Sequence, residues 1–315
     1  MATPPRIGYI GFGEVGYHHA RGLSQDGIRN IVAFVDGPRH RPPYAASFRR
    51  HAAQAGARLV DTIAALSAES DIVFSAVTTD SAVEAAQRAA PFLSAPQMYV
   101  DLNSCAPDRK AAAAAPVLQA GAQFIDAALM GAVVYGGHRQ PLYVSGPAAA
   151  SFAERMAPYN LAAVVVDERI GTASVLKMIR SVGTKGYSAL LWEVGMAARR
   201  AGIDLERFGD IVWPLRLGSG NTFDTAADYF IVQGAQHLAR RAKEMGDSLA
   251  TMTGLGIDAV MTSTTRQVLE RLGELDLQRT AAGGTAGGSA LFDAALAATD
   301  ARDPGRGGAL HGRPL

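Results

Sequence analysis

Lys177 and Arg180 lie near the start of a predicted helix, in a stretch whose residue types could do chemistry. Apolar residues recur there at helical spacing, and no helix breaker follows. Polar residues at positions i, i+3, i+4, i+7 and i+11 share one face of a helix. In this helix they are Lys177, Arg180, Ser181, Thr184 and Ser188. Two interpretations are open: a solvated face, or an active-site wall with an acid–base lysine and an anion-binding arginine.

A glycine-rich segment near the amino terminus has the spacing of a dinucleotide-binding loop. It follows a predicted strand, opens a predicted helix, and consists of Gly11, Phe12, Gly13, Glu14, Val15 and Gly16. In this pattern the first glycine permits a tight turn, the second admits a pyrophosphate, and the third lets helix and strand pack closely. Free N–H groups at the helix start favour phosphate. We therefore expect these six residues to contact a cofactor.

Asp36 lies twenty residues after Gly16, at the end of the second predicted strand. A carboxylate there accepts a hydrogen bond from a ribose 2′-OH and repels a 2′-phosphate. Asp36 also precedes Gly37 and could simply form a turn, and Arg39 and Arg41 could bind a 2′-phosphate. We expect NAD to be preferred, with NADP as the alternative.

These residues must be positioned by the alternating strands and helices of the first half of the chain. This alternation builds an α/β fold with a doubly wound parallel sheet of the Rossmann type. Beyond about residue 167 only helical patterns occur. We therefore predict a dinucleotide-binding domain over residues 1–168 and an all-α domain for substrate binding and dimerisation over 169–277. The tail over 278–315 is rich in Ala, Gly, Arg and Thr, and we expect it to be loosely ordered.

Composition excludes several classes of partner. The formal net charge is +1, and no basic patch alternates with aromatic residues, so we expect no nucleic-acid or membrane partner. The single cysteine, Cys105, allows no internal disulfide and suggests a reducing, cytoplasmic location. No signal peptide or membrane-spanning run is visible. No set of residues has metal-ligand spacing.

Four segments resemble motifs of the β-hydroxyacid dehydrogenases, the relatives of 3-hydroxyisobutyrate and 6-phosphogluconate dehydrogenase. Residues 101–107, DLNSCAP, resemble that family's D-x-S-T-x-x-P segment. Residues 126–132, DAALMGA, resemble its D-A-P-V-S-G-G segment. Residues 171–181 resemble its lysine-bearing G-x-G-x-x-x-K-x-x-N-N segment, and residues 243–245 resemble its K-D-L.

The resemblance implies an NAD(P)-dependent dehydrogenase of a small hydroxy acid, with Lys177 as the general acid and base. A lysine can accept the hydroxyl proton if burial lowers its pKa toward working pH. The substrate residues implied by the matched motifs are Asn103, Met130, Gly131, Ala132, Arg180 and Ser181. The resemblance also implies cofactor residues beyond the glycine loop and Asp36. They are Val77, Thr78, Thr79, Ser104 and Lys243.

Three departures from the motifs leave the substrate open. Met130 replaces the family serine, Arg180 and Ser181 replace its asparagine pair, and Asn103 replaces the serine of D-x-S-T. Two alternatives therefore remain, an imine reductase of the same superfamily and a dinucleotide-binding sensor without turnover.

Arg180 and the aromatic residues of the helical half carry two further expectations. Because a guanidinium close to a buried lysine needs an anion, we expect Arg180 to bind a substrate carboxylate, unless it pairs with Glu244. We also expect a homodimer, since the family buries aromatic surface between subunits. The aromatic residues concerned are Trp192, Trp213, Phe223, Tyr229 and Phe230.

Overall fold

The computed structural model describes residues 3–36, 44–200, 202–212, 228–254, 259–275, 277 and 287–302. The chain divides into two compact units, Met1–Met178 and Ile179–Leu315. Within the described ranges, no helix has the length and apolar character needed to cross a membrane.

The first unit is built on one eight-stranded sheet. Its strands are β1 Ile7–Ile10, β2 Ile31–Phe34, β3 Ala57–Leu59, β4 Ile72–Ser75, β5 Met98–Asp101, β6 Gln123–Leu129, β7 Leu142–Ser145 and β8 Ala163–Val165. They are ordered β3-β2-β1-β4-β5-β6-β7-β8. Strands β1 to β6 pair in parallel, whereas β7 runs antiparallel to β6 and parallel to β8. The sheet is therefore mostly parallel rather than wholly parallel, because the short connection after β6 turns the chain back.

Helices cover both faces of this sheet. They are α1 Glu14–Gln25, α2 Tyr44–Gln54, α3 Ile63–Ala68, α4 Ala82–Ala89, α5 Pro107–Gln119, α6 Val133–Gly136 and α7 Ala149–Met156. Successive strand residues enter different cores: Ile7 and Tyr9 of β1 pack in one cluster, and Ile10 packs in another. Because both faces are buried, the strands consist of nearly continuous apolar residues.

Helix α8, Thr172–Arg200, begins in the first unit and continues into the second. The second unit also contains α9 Leu205–Val212, α10 Leu238–Gly254, α11 Val260–Gly273 and α12 Gly288–Arg302, together with a π-helix at Asp228–Val232 and one short helical turn at Gln233–Ala235. The predicted fold class, a Rossmann-type sheet followed by a helical region, is confirmed.

The carboxyl-terminal tail differs from the expectation of loose order between residues 288 and 302. Helix α12 buries Leu291, Phe292 and Ala295 completely. The Phe292 ring meets Trp192 edge to face, with 5.2 Å between ring centroids, and it packs against Gly195. Trp192, expected in a subunit interface, therefore lies in the core of its own unit. Few large apolar residues occur in the tail, but their i, i+1, i+4 spacing puts them on one face.

Candidate functional site

The glycine loop between β1 and α1 has the geometry that a bound pyrophosphate requires. Gly11 has φ of +88°, and a side chain there would overlap the Ala76 carbonyl. A Cβ on Gly16 would lie 2.6 Å from the Gly11 carbonyl oxygen, so only glycine lets the helix approach this closely. Gly13 faces open space, and no side chain caps the start of α1. The free N–H groups at this helix start fit an anionic diphosphate.

A cleft of about 180 Å³ opens beside this loop. It is lined by residues from the ends of β1 and β2, from the segment after β4, and from α3 and α4; among them are Gly11, Phe12, Asp36, Val77 and Thr78. Five of the sequence-predicted cofactor residues thus lie around one cleft. The cleft joins the glycine loop to the strand end where a ribose lies in this fold.

Asp36 forms an ion pair with Arg88 of α4, a residue that the sequence analysis did not single out. Both side chains are about half exposed, at 54% and 43%. Arg88 also lies 3.9 Å from Glu84 and above the ring of Phe34, 6.0 Å from its centroid. The alternative phosphate ligands, Arg39 and Arg41, fall outside the described residues.

Asn103 ties the ends of β4 and β5 together. Its side-chain oxygen accepts from the Val77 N–H at 2.8 Å, and its amide nitrogen donates to Ser75 Oγ at 2.9 Å and to Asp101 Oδ1 at 2.6 Å. Both amide hydrogens are thereby engaged within the protein. Asn103, predicted to bind substrate, thus supports the segment that begins at Val77, which is predicted to bind the cofactor.

A second contact joins the same two segments further along the chain. Thr79 donates from its hydroxyl to the Ser104 carbonyl at 3.2 Å. The hydroxyls of Thr78 and Ser81 lie 3.1 Å apart. The predicted cofactor residues Thr79 and Ser104 are therefore in direct contact, although they come from different strand ends.

A row of buried polar residues crosses four neighbouring strands. Ser75 pairs in register with Asp101, Asp101 with Asp126, and Asp126 with Ser145. All four are fully buried. Residues in register on neighbouring strands point to the same face of a sheet, so two carboxylates are placed side by side inside the protein.

Lys110 of α5 supplies the positive charge for this row. Its ammonium lies 3.3 Å from both Asp101 Oδ1 and Asp126 Oδ1, and it donates to the Asp101 carbonyl at 2.7 Å. Burial by itself lowers the pKa of Lys110, but the two carboxylates more than reverse this effect, and its pKa is raised. Lys110 is therefore charged and stabilises the two acids.

Asp126 also fixes the start of helix α8. One carboxylate oxygen accepts from the Ser174 N–H at 2.9 Å, and the other accepts from the Ser174 hydroxyl at 2.7 Å. Ser145 Oγ accepts from the Ala173 N–H at 3.0 Å and donates to Asp126 at 3.2 Å. The first turn of α8, whose N–H groups have no partner within the helix, is thus bound to β6 and β7.

Lys177 follows Ser174 by three residues and shares its side of the helix. Its side chain is partly exposed. The anchor at Asp126 therefore acts within one turn of the predicted catalytic lysine. The cofactor loop, the strand ends and Lys177 all belong to the first unit.

The predicted substrate residues Met130, Gly131 and Ala132 form the loop after β6. The Met130 N–H donates to the Pro141 carbonyl at 2.9 Å. A side chain on Gly131 would overlap the amide of Gln140, which packs over the loop. This loop continues the strand that carries Asp126, so β6 connects the helix anchor to the predicted substrate segment.

Three predicted residues lie in the second unit. Arg180 is exposed, Ser181 is buried, and Lys243 is exposed on α10, where it lines a groove of about 540 Å³ between α10 and α11. Glu244, the alternative partner of Arg180, pairs with Lys185 at 2.8 Å and with Arg240 at 3.7 Å. Across the described ranges, no three His, Cys, Asp or Glu residues are grouped as a metal site.

Two contributors to the site were missed from the sequence. Lys110 occupies the buried stripe of α5 together with Ala113, Ala114 and Val117, so a lysine on an apolar helical face was the available signal. Arg88 gave no such signal, because with Glu84 it has the i, i+4 spacing of an ordinary surface pair.

Comparison with known proteins identifies two matching families. Residues 6–159 match the NAD binding domain of 6-phosphogluconate dehydrogenase. Residues 216–272 match a domain of unknown function, DUF1932. The first match covers strands β1 to β7 with the glycine loop, and the second lies in the helical region.

Two solved structures are similar over nearly their whole length. The conserved protein MTH1747 of unknown function, whose structure was reported as similar to 3-hydroxyacid dehydrogenases, is 31% identical, with 87% of this chain and 98% of that chain covered and a TM-score of 0.63. A conserved hypothetical protein from Sinorhizobium meliloti 1021 is 29% identical, with 94% and 97% covered and a TM-score of 0.67.

More distant structures share the fold alone. A 3-hydroxyisobutyrate dehydrogenase from Salmonella typhimurium is 18% identical, with 91% of this chain and 99% of that chain covered and a TM-score of 0.68. An imine reductase variant from Myxococcus stipitatus in complex with NAD+ is 20% identical, with 93% and 100% covered and a TM-score of 0.55. The matched cofactor domain, the DUF1932 match and the 31% identity to MTH1747 show that the chain belongs to the β-hydroxyacid dehydrogenase family, as a divergent member.

Proposed function

We propose that the protein is an NAD(P)-dependent oxidoreductase that acts on the alcohol carbon of a small hydroxy acid, with Lys177 as the general acid and base. One observation carries the proposal. The unit that holds the open glycine loop also holds Lys177, on a helix whose first turn is fixed by Asp126 and Ser145. This anchor fixes the helical turn that precedes Lys177, and so it limits where the lysine side chain can lie.

The residues of the chain would divide the work as follows. Gly11, Gly13 and Gly16 would bind the diphosphate of the cofactor, and Asp36 would accept from its ribose. When bound, the nicotinamide would accept hydride from the alcohol carbon. Lys177, in its neutral form, would take the hydroxyl proton during oxidation and return it during reduction. Asn103 would hold Val77 in place rather than touch the substrate.

Arg180 would bind the carboxylate of the substrate. It lies on the same helix as Lys177 and is exposed. A guanidinium binds a carboxylate through two parallel N–H bonds, which selects an acid over a neutral polyol. Met130, in place of the family serine, would give the substrate loop an apolar wall and favour a substrate with an apolar group there.

Imine reduction is the second candidate, supported by the fold that the chain shares with an imine reductase. A non-catalytic sensor is the third, supported by the departures at Met130 and Arg180. Lys177 favours alcohol chemistry, because a hydroxyl proton must be removed in every turnover.

A substrate panel tests the proposal. Hydroxy acids and polyols are supplied with NAD or NADP, cyclic imines are supplied with the reduced cofactors, and the absorbance of the reduced nicotinamide is followed. We expect oxidation of at least one hydroxy acid. The Lys177→Met variant should then lose about 10²- to 10⁴-fold in kcat, while cofactor affinity measured by fluorescence stays within twofold. Cofactor binding without turnover of any compound would instead identify a sensor, and a fully active Lys177→Met enzyme would refute the role of Lys177.

A further inference from the structure

The ion pair between Arg88 and Asp36 lies where the adenosine ribose binds in this fold. Asp36 follows β2, and Arg88 of α4 forms an ion pair with it. Both residues line the cleft together with Phe34, Val77 and Glu84. This guanidinium can therefore reach the same region as the carboxylate that selects the cofactor.

The charges around Arg88 determine what it can bind in this arrangement. Two carboxylates, Asp36 and Glu84, flank the one guanidinium among the described lining residues, so these three groups carry a net charge of −1. A 2′-phosphate brings about two negative charges. It would have to displace Asp36 from Arg88 and then lie beside that carboxylate. A 2′-OH adds no charge and can donate to a carboxylate, which has four acceptor positions.

We propose that Arg88 can bind a 2′-phosphate and that its ion pair with Asp36 prevents this. Removal of the Asp36 carboxylate then converts an NAD site into an NADP site. This inference rests on the proposed nicotinamide function. The guanidinium is already supported by the Phe34 ring beneath it and by Glu84 at 3.9 Å. No new cation has to be introduced for the conversion.

Isothermal titration of the full chain with NADH and NADPH tests this inference. The variants are Asp36→Ser, Arg88→Leu and the double variant Asp36→Ser/Arg88→Leu. Arg58→Leu is the matched control, because Arg58 forms a similarly exposed ion pair with Glu69 away from the cleft. Serine keeps a hydroxyl for the ribose and removes the repulsion.

We expect Asp36→Ser to tighten NADPH binding by roughly tenfold to a hundredfold, the range of a charge-assisted hydrogen bond, and to weaken NADH binding. The double variant should lose this gain, and Arg58→Leu should change neither affinity. Retention of the gain in the double variant would assign the phosphate to other cations, such as Arg39 or Arg41, and would overturn the proposal. A selective loss of NADPH binding in the single Arg88→Leu variant would also overturn it, because Arg88 would then bind the phosphate without any change at Asp36.

Failure of the underlying function gives a different result. If neither NADH nor NADPH binds the unaltered chain, the proposed function and this inference both fall. If NADH binds normally and only the behaviour of Asp36 and Arg88 differs from expectation, the inference on Arg88 falls alone.

Discussion

Replacement of Lys110 by methionine should destabilise the first unit strongly. Lys110 has a fully buried side chain with a carboxylate oxygen at 3.3 Å on either side, and both carboxylates are at most 1% exposed. Methionine has a similar shape and no charge. The substitution therefore removes the cation and leaves Asp101 and Asp126 close together in the interior.

The expected decrease in the free energy of unfolding follows from the cost of removing one partner of a buried ion pair, about 3–5 kcal/mol. Asp126 would still accept a hydrogen bond from Ser174, and Asp101 would still accept one from Asn103. These bonds would partly stabilise the two buried charges. A loss of about 3 kcal/mol corresponds to a decrease of roughly 6–12 °C in Tm for a domain of this size. The stability of a typical domain is only about 5–15 kcal/mol.

The assay is urea unfolding followed by circular dichroism, with hydrogen exchange of peptides from β5 and β6 to isolate the first unit. Arg58→Met serves as the control, because the exposed Arg58–Glu69 pair should contribute only about 0–1 kcal/mol. The double variant Lys110→Met/Asp101→Asn also removes one of the two carboxylates that repel each other. It should recover part of the lost free energy of unfolding. A Lys110→Met protein as stable as the Arg58→Met control, or a double variant no more stable than Lys110→Met, would refute the account of this buried row.

Three further predictions concern the substrate anion, pH and assembly. Arg180→Lys should raise KM for acid substrates at least tenfold, because lysine cannot form the two parallel bonds; a drop in Tm with unchanged KM would make Arg180 structural. Burial lowers the pKa of His19 to about 3, whereas an unfolded histidine binds a proton below pH 6.5. The stabilising effect of neutral His19 is therefore fully present above pH 6.5 and falls as pH decreases toward 3, by up to about 1.4 kcal/mol per pH unit. The free energy of unfolding, measured in urea at pH 5–7, should change less with pH in His19→Gln than in the unaltered protein. An equal change with pH in both proteins would contradict the assignment. Light scattering should give the mass of a homodimer, and a monomer at all working concentrations would exclude that prediction.

The sequence by itself was sufficient for the features that depend on neighbouring residues. The glycine fingerprint specifies a strand, a tight turn and a helix within a few residues, and the structure has this unit at residues 7–25. The alternation of apolar runs and helical patterns predicted the doubly wound sheet, since burial on both faces requires continuous apolar strands. The motif order led to the family, which the comparisons support.

Tertiary structure decided the contacts that join distant segments. Asp101, Asp126 and Ser145 form one row only because of the strand register, and Lys110 reaches the two carboxylates from α5. Periodicity gives the face of a strand, but it gives neither its neighbours nor their register. For the same reason the sequence could not pair Arg88 with Asp36, and it could not place Phe292 of the tail against Trp192. A buried charge is tolerated only where its partners converge, and that convergence is a property of the folded chain.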